Sequence, residues 1–252
     1  MLDPEAATSY EAAVAALVPS IERSLLPGVL ANRARLIRSV PLSLRLEPWR
    51  AARERLAREA RRLIAHAGAM LVADVRSCYP SIGSQAVLRR LRALGCPPDT
   101  ASELRFRLES FERAGIPGLP IGPEPSAVLA NAVLSEADNA LAALGADHLR
   151  WVDDFFVFAP DAHAAKAALG ALRRGLDSAG LELAEEKTRL VEGRPHIVAA
   201  VSRCAVSAVE PGYHRAGHAH PVQGIEDPHA LAPTGGRVGP RRRPARPAGR
   251  VG

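Results

Sequence analysis

A chain of 252 residues with 47% hydrophobic content has enough apolar material for a real core and room for one large or two small domains, which excludes a wholly disordered protein. The formal charge is +6, but residues 211–252 hold seven Arg against Glu226 and Asp227, a local excess of five that leaves the first 210 residues at only +1, so charge by itself licenses no nucleic-acid claim for the folded body. No apolar run reaches eighteen residues, and Met1-Leu2-Asp3-Pro4-Glu5 is acidic where a signal peptide would be basic, so a cytoplasmic chain with no membrane partner is expected.

Residues 5–26 alternate apolar and charged side chains at helical spacing until Pro27-Gly28, which predicts one N-terminal helix. Residues 32–38 are basic, and 40–48 read as irregular or extended. Trp49 to His66 sets Trp49, Leu56, Leu63 and Ile64 among Arg and Glu, an amphipathic helix that stops at Gly68. Residues 69–75 form a continuous apolar strand interrupted by Asp74 near its end. A lone carboxylate there suggests a site at the edge of a sheet. Ser84 is expected to cap a helix through Leu94, and Asp99 to Ala114 a further helix with Leu104, Leu108 and Phe111 on one face. Residues 115–123 are a Gly-Pro loop with a rigid backbone, and Ser126 to Leu144 an apolar helix.

In residues 149–158 apolar segments flank Asp153-Asp154, which predicts two short strands with carboxylates at the hairpin tip. Adjacent acids repel each other and lose hydration between buried strands, so the pair makes most sense with a cation, Mg²⁺ being the expected one. A helix over 161–179 follows, then short strands at 181–183 and 188–191 around Lys187, one of only two lysines with Lys166. From Asp74 onward this order suits an α+β fold, a split β-α-β sheet covered by helices on one face. Residues 210–252 lose all apolar periodicity and read as a disordered Arg/Pro/Gly-rich tail, in which His214, His218 and His220 lack a scaffold for a metal. Cys78, Cys96 and Cys204 have neither disulfide nor zinc spacing and read as reduced thiols.

Four segments, in order, resemble the reverse transcriptase family, with a flavour closest to bacterial retron-type, group II intron-related and defence-associated enzymes. Val72-Ala73-Asp74 with Cys78-Tyr79-Pro80-Ser81-Ile82 looks like the first palm motif. Gly118-Leu119-Pro120-Ile121-Gly122 with Ser126, Leu129, Ala130 and Asn131 looks like the second. Trp151-Val152-Asp153-Asp154 looks like the aromatic-x-Asp-Asp motif, and Leu181 to Lys187-Thr188 like the Leu-rich, Lys-Thr motif that follows it.

The resemblance implies a polymerase palm over 69–209, a mostly helical fingers-like region over 1–68, and a thumb absent or truncated before the tail. It implies RNA-directed DNA polymerase activity on an RNA template with a DNA or RNA primer and deoxynucleoside triphosphates, extending to a noncoding RNA or accessory protein and a phage-defence role. Two Mg²⁺ ions, with Mn²⁺ as a substitute, would be held by Asp74, the Val75 carbonyl, Asp153 and Asp154. Oxygen ligands suit Mg²⁺, which takes one or two carboxylates plus substrate phosphates. Tyr79 would lie under the incoming sugar and exclude a 2′-hydroxyl. Gly118, Pro120, Gly122 and Ser126 would shape the nucleotide and template pocket, where Ile121 replaces a Gln common in relatives. Arg33, Arg35 and Arg38 would grip the triphosphate. Lys187 reads as the acid for departing pyrophosphate or as an exposed Lys at a strand edge. Against the enzyme stand two other readings: a non-catalytic nucleic-acid-binding scaffold that kept the palm, and a truncated remnant.

Overall fold

The computed structural model describes residues 3–37 and 43–207, with side chains described through residue 202. Two helices open the chain, α1 (Pro4–Ala15) and α2 (Val18–Ser24), in place of the single expected helix. Pro19 sits in the first turn of α2, where its missing N–H is harmless; a helix continued through it would press its ring on the Ala15 carbonyl. Asp3 caps α1 by accepting from the Ala6 amide at 2.9 Å.

Next come β1 (Ala34–Ile37) and β2 (Ser43–Leu46), paired antiparallel with Ala34 opposite Leu46. The basic stretch is thus a strand in part, and Arg38 lies outside the described residues. The amphipathic helix is α3 (Trp49–Ile64), with Leu56, Leu63 and Ile64 buried. After β3 (Ala69–Asp74) come α4 (Cys78–Ser81), α5 (Ser84–Ala93) and α6 (Pro98–Arg113). Ser84 is not the cap of α5. Gly83 takes that position, and the orphan Ser84 amide is satisfied from α6 by Glu112, which accepts at 3.1 Å.

The remaining elements are α7 (Glu124–Ala143), β4 (Asp147–Trp151), β5 (Asp154–Ala159), α8 (Ala162–Ala179), β6 (Arg189–Glu192) and α9 (Arg194–Ser207). Residues 181–183 form no strand of their own. They meet the end of β3 through a single bridge, Val75 to Leu183, with the Arg76 amide donating to the Glu182 carbonyl and the Ala184 amide to the Asp74 carbonyl, both at 2.8 Å. α9 was not expected. The tail from 210 lies outside the described residues.

β4, β5, β3 and β6 form one antiparallel sheet in that order. Alternation along β3 splits its side chains between two layers. Leu71 and Ala73, with Phe155 and Val157, join the core built by α1, α5, α6, α7 and α8. Met70 and Val72, with Phe156, Phe158 and Trp151, meet α3 and Ile197 and Ala200 of α9. The architecture is the expected α+β palm, with α7 and α8 on one face; α3 and α9 add cover to the other. Trp49 of α3 meets Trp151 edge-on at 4.8 Å between ring centres. None of the described helices is long and apolar enough to cross a membrane.

Candidate functional site

Register brings the predicted acids together. Asp74 lies opposite Asp154 across β3 and β5, and Trp151 opposite Asp154 across the hairpin, which leaves Val152 and Asp153 as its two-residue tip. Val152 takes a φ of +59°, a left-handed conformation that a β-branched residue adopts only at a cost of roughly 1–3 kcal/mol. The Val75 amide donates to the Asp153 carbonyl at 3.3 Å and ties the tip to the end of β3. Val75 itself is buried.

Three carboxylates at one sheet edge repel each other. Burial, then the charge of Asp74, raises the Asp153 carboxyl above its ordinary range, and burial, then Asp153 and Asp74, push Asp154 up to about 7. Lys187 Nζ donates to both Asp74 oxygens, at 3.1 and 3.2 Å, and that contact raises its own pKa and keeps it protonated. Burial, with Asp153 nearby, pushes the Cys78 thiol up to about 12, so it stays neutral beside the acids. Among the described residues, no group of three or more His, Cys, Asp or Glu side chains is arranged to hold a metal ion by itself.

Burial of Asp154 beside the other acids has a consequence for stability. Asp154 binds its proton more tightly folded than unfolded, so between pH 4 and about 7 the folded state loses stability as pH rises. Melts of the metal-free protein should show this loss, and Asp154→Asn should remove much of it, stabilising the fold at pH 7.5 by about 1–2 kcal/mol once water screening at the hairpin tip is allowed for. An Asp154→Asn protein that melts at or below wild type at pH 7.5 would rule out this cost of a buried, ionised Asp154.

Tyr79 stands on the short α4, close to this edge. Its carbonyl accepts from the Leu119 amide at 2.9 Å, which docks the Gly-Pro loop onto the first motif. Gly118 makes that contact possible: its φ is +61°, and a Cβ there would collide with the carbonyl oxygens of Tyr79 and Pro80. So this glycine serves protein backbone, where the sequence suggested approach to a substrate. Pro120 is buried, while Ile121 and Gly122 are exposed beside it.

Two assignments of substrate contacts give way. Ser126 is fully buried in α7, and its hydroxyl shares a hydrogen bond with the Tyr10 hydroxyl at 3.2 Å, so it supports the core. Arg33 is engaged by Glu22 at 2.7 Å and by the Leu26 and Val29 carbonyls, which makes it a brace between α2 and β1. Arg35 is exposed on β1, opposite Arg45.

The residues that sequence reasoning missed lie beneath the hairpin. Arg150 and Asp138 are completely enclosed and paired, with Arg150 Nε and Nη2 donating to the carboxylate at 2.9–3.1 Å. Burial alone would raise the Asp138 carboxyl; the Arg150 charge and the hydrogen bonds from His148 and Arg150 reverse that and hold it below its ordinary range. Arg150 Nη1 also donates to Asn131 Oδ1 at 2.7 Å and to the Val152 carbonyl at 2.8 Å, fixing the strained tip. The main chain of Arg150 pairs with residues 28–30, its amide to the Gly28 carbonyl at 2.8 Å and its carbonyl to the Leu30 amide at 3.0 Å. The signal was present: one Arg inside an apolar strand and one Asp inside an apolar helix, twelve positions apart, each require a buried partner.

The sequence profile of the reverse transcriptase (RNA-dependent DNA polymerase) family matches residues 34–221. The chain belongs to the reverse transcriptase family. The match takes in β1, the whole sheet and both acid-bearing strands of this reverse transcriptase domain. A search of curated proteins gives no match. Among solved structures, apo telomerase from Candida tropicalis, truncated from its C-terminal domain, is similar at 12% identity with a TM-score of 0.39, over 59% of this chain and 36% of that one. This chain therefore spans little more than a third of the length of that structure.

Proposed function

We propose that the chain is an RNA-directed DNA polymerase that joins deoxynucleotides to a primer 3′-hydroxyl, with the palm over 69–209, a fingers-like region over 1–68 and an Arg-rich tail over 210–252. The observation that carries this reading is the opposition of Asp74 and Asp154 beside Asp153, with Lys187 on Asp74. Acids whose burial, added to by one another's charge, raises two of their carboxyls have no value to a merely structural hairpin, and they suit divalent cations. Their donors are all oxygen, as Mg²⁺ prefers, and an ion there would also draw on substrate phosphates and water. Asp74, Asp153, Asp154 and the Val75 carbonyl would hold Mg²⁺, with Mn²⁺ as a substitute. When bound, two such ions offset charge on the attacking and leaving oxygens of phosphoryl transfer.

The protein's own groups supply the rest. The strand pair fixes Asp74 and Asp154 face to face, and the bond from Val75 to Asp153 keeps the tip from drifting, so the acids are placed before substrate arrives. Lys187, held protonated by Asp74, would give a proton to departing pyrophosphate. Tyr79 would lie under the incoming sugar and set deoxyribose preference, with the exposed Ile121-Gly122 turn beside it and exposed Arg35 the nearest match to a triphosphate contact. The bacterial retron-type or phage-defence setting, and a noncoding RNA or accessory protein, belong to this proposal on the strength of the motifs.

Primer extension by purified protein on RNA and DNA templates, with Mg²⁺ or Mn²⁺, tests it. Extension on an RNA template supports the reading. Binding of primer-template without extension under either metal would replace it with the non-catalytic scaffold.

A further inference from the structure

We propose that Asn32 and Asn131 are positioning residues that set sugar selectivity by holding the Tyr79 ring in place, an inference that rests on the reading of Tyr79 as the sugar gate. Asn32 is 6% exposed and has a φ of +56°, a conformation that Asn tolerates better than most side chains. Its amide nitrogen reaches the Tyr79 hydroxyl at 3.5 Å, the long end of a hydrogen bond. A contact of that length helps to orient a ring only if the donor itself is fixed. Asn131 fixes it.

The Asn131 side chain is 2% exposed, with its nitrogen and its oxygen both engaged. Its Nδ2 donates to the Ala31 carbonyl at 3.1 Å and the Asn32 carbonyl at 3.0 Å, while its Oδ1 accepts from Arg150 Nη1 at 2.7 Å. The same Arg150 nitrogen holds the Val152 carbonyl at the hairpin tip. One chain of hydrogen bonds, buried at its centre and half-buried at its ends, thus runs from the acid hairpin through Arg150, Asn131 and Asn32 to the Tyr79 hydroxyl. At its other end the Tyr79 backbone is held by the Leu119 amide. With its backbone and its hydroxyl both held, the ring is biased against tilting away from a sugar. Residues that only filled the core would need neither the left-handed Asn32 nor an amide aimed at a phenol.

The test measures kcat/KM for a matched ribonucleotide and deoxyribonucleotide, beside a thermal melt, in Tyr79→Val, Tyr79→Phe, Asn32→Gly and the Asn32→Gly/Tyr79→Phe double variant. Glycine keeps the positive φ without strain, and phenylalanine removes only the hydroxyl. Asn32→Gly and Tyr79→Phe are each expected to lower the preference for deoxyribonucleotide about five- to tenfold, the scale of one neutral hydrogen bond. The double variant should fall no further than Tyr79→Phe alone, because the contact that Asn32→Gly breaks is already lost there. Preference unchanged in Asn32→Gly or Tyr79→Phe, with Tyr79→Val shifted, overturns the positioning role and leaves the gate standing. Preference unchanged in Tyr79→Val overturns the gate and this inference with it. An additive loss in the double variant also overturns the inference, since Asn32 would then act elsewhere. If the melt shows Asn32→Gly unfolded, Tyr79→Phe decides alone.

Discussion

Asp153→Asn is expected to cut nucleotide incorporation by at least about 10²–10³-fold, the scale of removing one group that stabilises charge in a transition state, while the protein stays folded. The change keeps shape and volume and removes one negative charge. Burial and Asp74 already raise the Asp153 carboxyl, so neutralising it relieves repulsion, and the metal-free variant should melt at or above wild type at neutral pH. Activity and stability therefore move in opposite directions. That pattern separates loss of a working acid from loss of the fold, which would lower both. Incorporation within a few-fold of wild type would sink the assignment of Asp153, and a lower melting temperature would mean that its carboxylate holds the tip through contacts that the raised pKa does not reflect.

The hairpin, β3 and the helices α3, α6 and α8 were legible because each rests on local periodicity. Leu104, Leu108 and Phe111 recur on one face, and Asp161 stands where an N-cap belongs and accepts from the Ala164 amide. Asp153 and Asp154 were legible as a pair, and Asp74 as a lone acid ending an apolar strand, because a charge there is costly without a reason; it was the resemblance that joined the three. What failed was non-local. Ser126 fits a motif, yet its hydroxyl turns inward to Tyr10, more than a hundred positions away. Arg33 resembles a phosphate ligand until Glu22 takes it up. Gly83 takes the cap position of α5 while Glu112 of another helix satisfies the Ser84 amide, and residues 181–183 lose their strand to a docking contact with Val75 and Arg76. α9 was missed because its apolar face is short and lies beyond the last recognisable motif. Gly118 was singled out for approach to a substrate, and what it approaches is the Tyr79-Pro80 turn, which no local pattern could reveal.

Asp138→Ala is expected to be the most damaging single change away from the acid hairpin, costing about 3–5 kcal/mol of stability. Arg150 and Asp138 are both wholly enclosed, and Arg150 cannot shed its charge. Without the carboxylate, Nε and Nη2 lose their acceptor, and His148 loses its partner at 3.2 Å. Replacing both members, as in Asp138→Leu/Arg150→Met, should cost less than Asp138→Ala alone, because no unpaired charge then remains buried. That double variant would still lack the donor to the Val152 carbonyl. The left-handed Val152 would then keep only the bond from the Val75 amide to the neighbouring Asp153 carbonyl, and the tip carrying Asp153 should loosen even in a stable fold. Urea melts of the three proteins, read beside primer extension, separate the two roles. The double variant should recover stability over Asp138→Ala and remain poor at incorporation. A cost below about 1 kcal/mol for Asp138→Ala would mean that water reaches Arg150 and that the pair is not the buried anchor of the hairpin.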